Sequence, residues 1–113
     1  MMAGDSPSGH VGRPATRLTL MLETRAHVGH ASLESQIMKK ARKAKLAGAT
    51  VFEGHAGYGA SRHIHEGHLL SDDRPRAIVI VDEPQRIESF LEEIGPLLKG
   101  VTVSLSEVEV VEL

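Results

Sequence analysis

Ile78-Val79-Ile80-Val81 sets the tightest limit on how this chain folds. Four β-branched apolar residues in a row read as strand, and because they do not alternate with polar ones that strand is apolar on both sides. It belongs inside a sheet, with cover over both faces. That cover has to come from elsewhere in the chain or from another copy of it.

Two amphipathic segments supply part of it. DEPQRIESFLEEI follows the strand directly. Asp82 with Gln85 three residues later has the form of a capping box, and Pro84 falls in the first turn, where a missing N–H costs nothing. Ile87, Phe90, Leu91 and Ile94 make one helical stripe, and Gly95-Pro96 ends or bends it. Upstream, SLESQIMKKARKAKLAG offers Ser32 as N-cap, the stripe Leu33, Ile37, Ala41 and Ala44 with Met38 alongside, and Gly48 as C-cap. Five Lys/Arg lie between Lys39 and Lys45, where the helix dipole favours positive charge. They read as a solvated helix face, with a partner-binding patch as the alternative.

The remaining strands alternate. Leu18, Leu20 and Leu22 share one face of RLTLMLE, and TRAHVGHA after it reads as a loop. A strand runs from Ala49 to about Ala56, loosened by Gly54. In the tail, Val101, Val103 and Leu105 share one parity and Val108 and Val110 the other, which predicts a bulge or two short strand pieces near Ser106. Residues 1–15, rich in Gly, Ser and Pro, read as a disordered leader, with the ordered domain spanning 16–113.

The order strand, helix, strand, long loop, strand, helix, strand is the split βαβ pattern. The expected class is α+β: a ferredoxin-like βαββαβ fold, a four-stranded antiparallel sheet with two helices on one face. The other face of Ile78–Val81 then lacks cover within the chain. A symmetric homo-oligomer is the simplest way to bury it.

Composition removes several function classes. The only aromatics are Phe52, Tyr58 and Phe90, so the core is aliphatic and there is no stacking platform for single-stranded nucleic acid. A net charge of −2 gives no general attraction to nucleic acid or anionic membranes. Without cysteine there are no disulfides, thiolate metal sites or cysteine nucleophiles. The first residues have no apolar signal region, and no run has the length of a membrane span. The expectation is a cytoplasmic protein with no direct membrane insertion.

HAGYGASRHIHEGH, from His55 to His68, holds four of the seven histidines. No helical or strand period survives from Gly57 to Pro75, and a structureless connection of that length in a compact domain is usually functional or mobile. Gly57 and Gly59 permit positive φ and close backbone approach to a ligand, or simply a tight bend. Tyr58 between them would stack on a base or serve as a small apolar anchor. On an extended segment His63 and His65 point the same way and could chelate one divalent cation, zinc or copper, with His55, His68 or Glu66 completing the shell. They also read as polar residues of a hydrated loop, or as partners of Arg62 around an anion. No nucleophile elbow or spaced carboxylate pair is visible, so the expectation is a binding protein and not an enzyme.

The runs LAGATVFEGHAGYGASRHIH, IVDEPQRIESFLEEI and VEVVEL resemble the DUF190 family of the PII-like signalling superfamily. The resemblance covers Thr16 to Leu113. It implies a PII-like regulatory, ligand-sensing protein. Such proteins are homotrimers whose sheets pack around a three-fold axis, with small ligands, often adenine nucleotides, in clefts between subunits. It implies a flexible loop 57–75 contacting a partner such as a membrane transporter or channel. The ligand-binding residues it points to are Gly57, Tyr58, Gly59, Arg62, Lys99 and Gly100. PII proteins usually carry a G-x-G-K connection and a pair of arginines on the last strand; here those places read PLLKG and EVEVVEL. Phosphate neutralisation would then fall to Arg62, Arg74, Arg76 or Lys99. The alternative is a divalent-metal-binding trimer using His63 and His65, similar to the divalent-cation-tolerance proteins of the same fold.

Overall fold

The computed structural model of the protein describes residues 12–22, 27–28, 31–55 and 75–113. In chain order the elements are strand β1 (Gly12–Leu22), the two-residue strands β2 (His27–Val28) and β3 (Ala31–Ser32), helix α1 (Leu33–Lys43), strands β4 (Ala49–Glu53) and β5 (Arg76–Asp82), helix α2 (Pro84–Ile94), a 3₁₀ turn (Gly95–Leu97) and strand β6 (Thr102–Val111). The four long strands form one antiparallel sheet in the order β4-β5-β1-β6. This is the ferredoxin-like arrangement, with the expected α+β class and element order. The short β2–β3 pair falls inside a segment that reads as loop in the sequence.

One face of the sheet and the two helices enclose an aliphatic core. Leu18, Leu20 and Leu22 of β1 stand in register with Ile80, Ile78 and Arg76 of β5. Leu18, Leu20, Ile78 and Ile80 are fully buried, beneath Leu33, Ile37 and Ala41 of α1 and Ile87, Phe90 and Ile94 of α2. By alternation Val79 and Val81 lie on the opposite face, and both are only half-buried. The same open face carries Phe52 and Met21, 57% and 46% exposed, in one row with Ala77. Among the described residues, the uncovered apolar face deduced from the sequence is therefore present.

The helix boundaries depart from local sequence signals in two places. Ser32 caps α1 as expected, its Oγ accepting from Ser35 N at 3.1 Å. The helix nevertheless stops at Lys43: Ala44 is the C-cap and is exposed, and Lys45 takes the left-handed conformation at φ 57°. Gly48 is not the cap. The left-handed Lys45 closes the helix, with Lys45 N donating to Arg42 O at 3.0 Å and Leu46 N to Ala41 O at 3.2 Å, while Arg86 Nη2 of α2 donates to the carbonyls of Ala44, at 3.2 Å, and Lys45 just beyond it. The capping box at Asp82 does not form either, since Glu83 is the N-cap residue of α2 and makes no side-chain cap bond. Asp82 instead accepts from Glu83 N at 2.7 Å and from Ala47 N at 2.8 Å, and lies 3.5 Å from Arg86 Nε. Asp82 and Arg86 thus pin the α1–β4 connection to the end of β5.

Two strand expectations also change. β1 begins at Gly12, four residues before Thr16, because β6 extends to Val111 and provides ladder partners that far. There is no bulge near Ser106: the β1–β6 register runs unbroken from Met21↔Thr102 to Gly12↔Val111. The parity shift is a change of face. β5 ends opposite Thr16, so beyond Glu107 the two strands form a ribbon outside the three-strand span, and Val108 and Val110 turn apolar groups to the other side.

Candidate functional site

The long segment named in the sequence analysis leaves the sheet from a narrow neck. Gly54 N donates to Pro75 O at 2.6 Å, which holds the two ends of the segment together. A Cβ on Gly54 would stand 2.8 Å from Pro75 Cγ, so glycine is what allows this approach and also what ends β4 at Glu53, short of Ala56. One residue beyond the neck, Arg76 Nη1 meets Glu34 Oε1 at 3.0 Å, with side-chain exposures of 31% and 27%. The pair ties the start of β5 to the first turn of α1, where a carboxylate also complements the helix dipole. Arg76 is thus engaged by Glu34 within its own subunit.

Lys99 and Gly100 lie at the same end of the sheet. Val101 N donates to Leu98 O at 3.0 Å across a turn in which Gly100 has φ +81°. A single positive φ at the third position is the type II pattern that glycine favours. Lys99 occupies the second position and is exposed. The register places this turn: Thr102 pairs with Met21, Met21 with Ala77, and Ala77 with Phe52, one residue before the last of β4. The neck and the Lys99 turn therefore share one end of the sheet but stand on opposite edges, three strand spacings or roughly 14 Å apart. One subunit alone does not bring the neck and Lys99 together on a small ligand.

Gly57, Tyr58, Gly59, Arg62, His63, His65 and Arg74 lie outside the described residues. Among the described residues, no group of three or more His, Cys, Asp or Glu is placed to hold a metal ion. His55 is exposed at the neck. No described helix is long and apolar enough to cross a membrane.

A feature with little signal in the sequence is a cleft of about 520 Å³ along the β4 edge. Met38, Ala41, Leu46 and Ala49 form its apolar floor, and Lys39 and Arg42 stand among the residues lining it. Part of the basic run that reads as a solvated face thus borders a groove. The spacing of Met38 from Arg42, one turn apart, is the only local sign of it.

A four-stranded antiparallel sheet with this strand order and two helices on one face is the fold of PII-like signalling proteins. Over 89% of this chain and 92% of the other, it superposes with a TM-score of 0.71 and 20% identity on CPII, a nitrogen regulatory PII-like protein from Thiomonas intermedia K12, whose structure is bound to ADP, AMP and bicarbonate. The apo form of CPII covers 90% of this chain and 97% of its own, with a TM-score of 0.63 and 16% identity. The chain belongs to the DUF190 family, described as "Uncharacterized ACR", which it matches over residues 15–110. It is 38% identical to a UPF0166 protein of Aquifex aeolicus (strain VF5) over 79 residues, 68% of this chain and 74% of that one. A second UPF0166 protein of the same organism is 32% identical over 69 residues, 59% of this chain and 72% of its own.

Proposed function

We propose that the protein is a cytoplasmic PII-like regulator that binds and relays, without turning over a substrate. Three copies pack their open sheet faces around a three-fold axis. An adenine nucleotide sits at each seam, and the segment 57–75 signals its presence to a partner, a membrane transporter or channel. The observation that carries this reading is the placement of the neck and the Lys99 turn at one end of the sheet on opposite edges. A neighbouring copy that sets its β6 edge beside β4 brings the two together, so the seam has what a single subunit lacks.

In that seam Gly57 and Gly59 let the backbone approach the ligand and Tyr58 lies against the base. Lys99 and Arg62 supply positive charge, and the amides of the Gly100 turn add neutral donors. Regulation then requires that the ligand favour one arrangement of the 57–75 segment over another. The pinched neck at Gly54–Pro75 gives the segment a fixed base from which to change.

Isothermal titration calorimetry with ADP, AMP and ATP, each with and without bicarbonate, tests the reading. Saturable heat at one site per subunit is expected, weakened at least tenfold by Lys99→Ala. Absence of heat from every nucleotide would contradict it.

A further inference from the structure

The open face of the sheet carries one charge that its own chain leaves unmatched. Alternation along β1 turns Leu18 and Leu20 into the core and Arg17, Thr19 and Met21 to the other side. β1 is an inner strand, and the register sets Arg17 level with Val81 on one neighbour and Ser106 on the other. Thr19 is level with Val79 and Ser104, and β4 adds Thr50 and Phe52 to the same face. Arg17 is therefore an exposed guanidinium among apolar groups and small hydroxyls. No strand carboxylate among the described residues shares this side: Glu53, Asp82, Glu107 and Glu109 all have the parity of the core residues. Arg13 has the parity of Arg17, but it lies roughly 13 Å further along β1. There Glu112 meets it at 3.7 Å. Among the described residues Arg17 has no ion-pair partner.

Copies that pack this face around a three-fold axis enclose three such guanidiniums and bring no carboxylate to meet them, because every copy presents the same face. A guanidinium taken out of water without a counter-charge is costly, and three of them repel one another. We propose that the Arg17 side chains of three copies hold one small inorganic oxyanion of the phosphate type inside the assembly, with the hydroxyls of Ser106 and Thr19 as further donors. The inference rests on the assembly proposed above and adds to it a site separate from the seams. The chemistry fits the anion. A guanidinium is a planar fork that meets oxyanions with two parallel hydrogen bonds. A tetrahedral oxyanion has a three-fold axis of its own, so it takes three equivalent forks without breaking the symmetry. The location separates this site from the nucleotide seam. Met21 marks the level at which β6 leaves the Lys99 turn, and Arg17 lies roughly 13 Å along β1 from it, on the enclosed face.

Isothermal titration calorimetry of the full chain with inorganic phosphate reads the site directly. One phosphate per three subunits is expected, against one nucleotide per subunit at the seams, and R17M is expected to abolish the phosphate heat while leaving the ADP heat in place. Assembly is the second readout. In dilution series followed by light scattering, phosphate is expected to lower the concentration for half-assembly at least tenfold relative to chloride at equal ionic strength. R17M is expected to show no such difference. In chloride it should assemble at a lower concentration than the unmodified protein, because methionine keeps an apolar stem and drops the repulsion. The midpoint of thermal unfolding, raised by phosphate in the unmodified protein and not in R17M, reads the same linkage in a trimer too tight to dilute apart. Arg17 is exposed in the subunit, and circular dichroism of R17M checks that the fold is kept. A trimer indifferent to phosphate, or R17M as responsive as the unmodified protein, would overturn the anion site and leave the nucleotide-binding regulator standing. Phosphate bound at one per subunit and lost in Lys99→Ala would overturn it in favour of the seam. A protein that stays monomeric in both salts would overturn it together with the assembly beneath it.

Discussion

Asp82 and Arg86 show how one motif can look like a local signal and act at long range. In sequence they sit where a capping box and a helix face are expected. In the structure they reach back across the fold, Asp82 to Ala47 N at 2.8 Å and Arg86 to the carbonyls of Ala44 and Lys45 just past α1. Lys45 takes the left-handed place that glycine fills elsewhere, and Arg86 gives the carbonyls just past the helix, those of Ala44 and Lys45, a charged donor. Arg86→Ala is expected to lower unfolding stability by about 1–3 kcal/mol, read from urea titrations, because those carbonyls lose a charged donor. Ser32→Ala removes the one side-chain cap of α1 and is expected to cost about 1 kcal/mol in the same assay. Lys45→Gly should raise stability by about 1 kcal/mol, since φ 57° strains a residue with a Cβ. Stability unchanged by Arg86→Ala would mean that the solvent satisfies the end of α1 equally well.

At the scale of elements, the strand and helix order was legible because the periods are clean and the helix stripes are continuous. Leu18, Leu20 and Leu22 are buried as their alternation demands, and Ile87, Phe90 and Ile94 as theirs demands. The boundaries were less legible, and the reasons are non-local. α1 ends at a left-handed Lys45, a residue with no local signal for that conformation, in a turn held by a side chain from α2, and β1 starts early because of the reach of β6. The parity shift in β6 falls where β5 ends opposite Thr16 and the β1–β6 ribbon runs on alone, a property of the tertiary arrangement that no single strand encodes. The candidate site was legible in part: Lys99 and Gly100 form the expected turn, whereas the cleft along α1 and β4 arises only when two elements pack. The two faces of β5 give an element-scale test. Ile80→Ala is expected to cost about 2–5 kcal/mol, because it empties a fully buried position. Val79→Asp should leave the fold of the subunit intact by circular dichroism while weakening assembly, since Val79 lies on the open face. Equal losses of folded structure from both substitutions would mean that the open face is part of the subunit's own core.

At the scale of the whole molecule, the sheet has more apolar surface than its two helices cover. Phe52, Met21, Val79 and Val81 on one face, and Val103 and Leu105 at one edge, are all left partly bare. A third helical layer is lacking among the described residues, and in the proposed assembly other copies supply the cover and their seams bring the neck at Gly54–Pro75 towards a neighbour's Lys99. Stability should then depend on protein concentration, the midpoint of thermal unfolding rising with it as mass action requires. Sedimentation equilibrium across a wide concentration range tests this most directly. A mass of three times the 12.2 kDa subunit, unchanged or tightened by ADP, is the predicted result. A folded species at 12.2 kDa at every concentration would contradict the account.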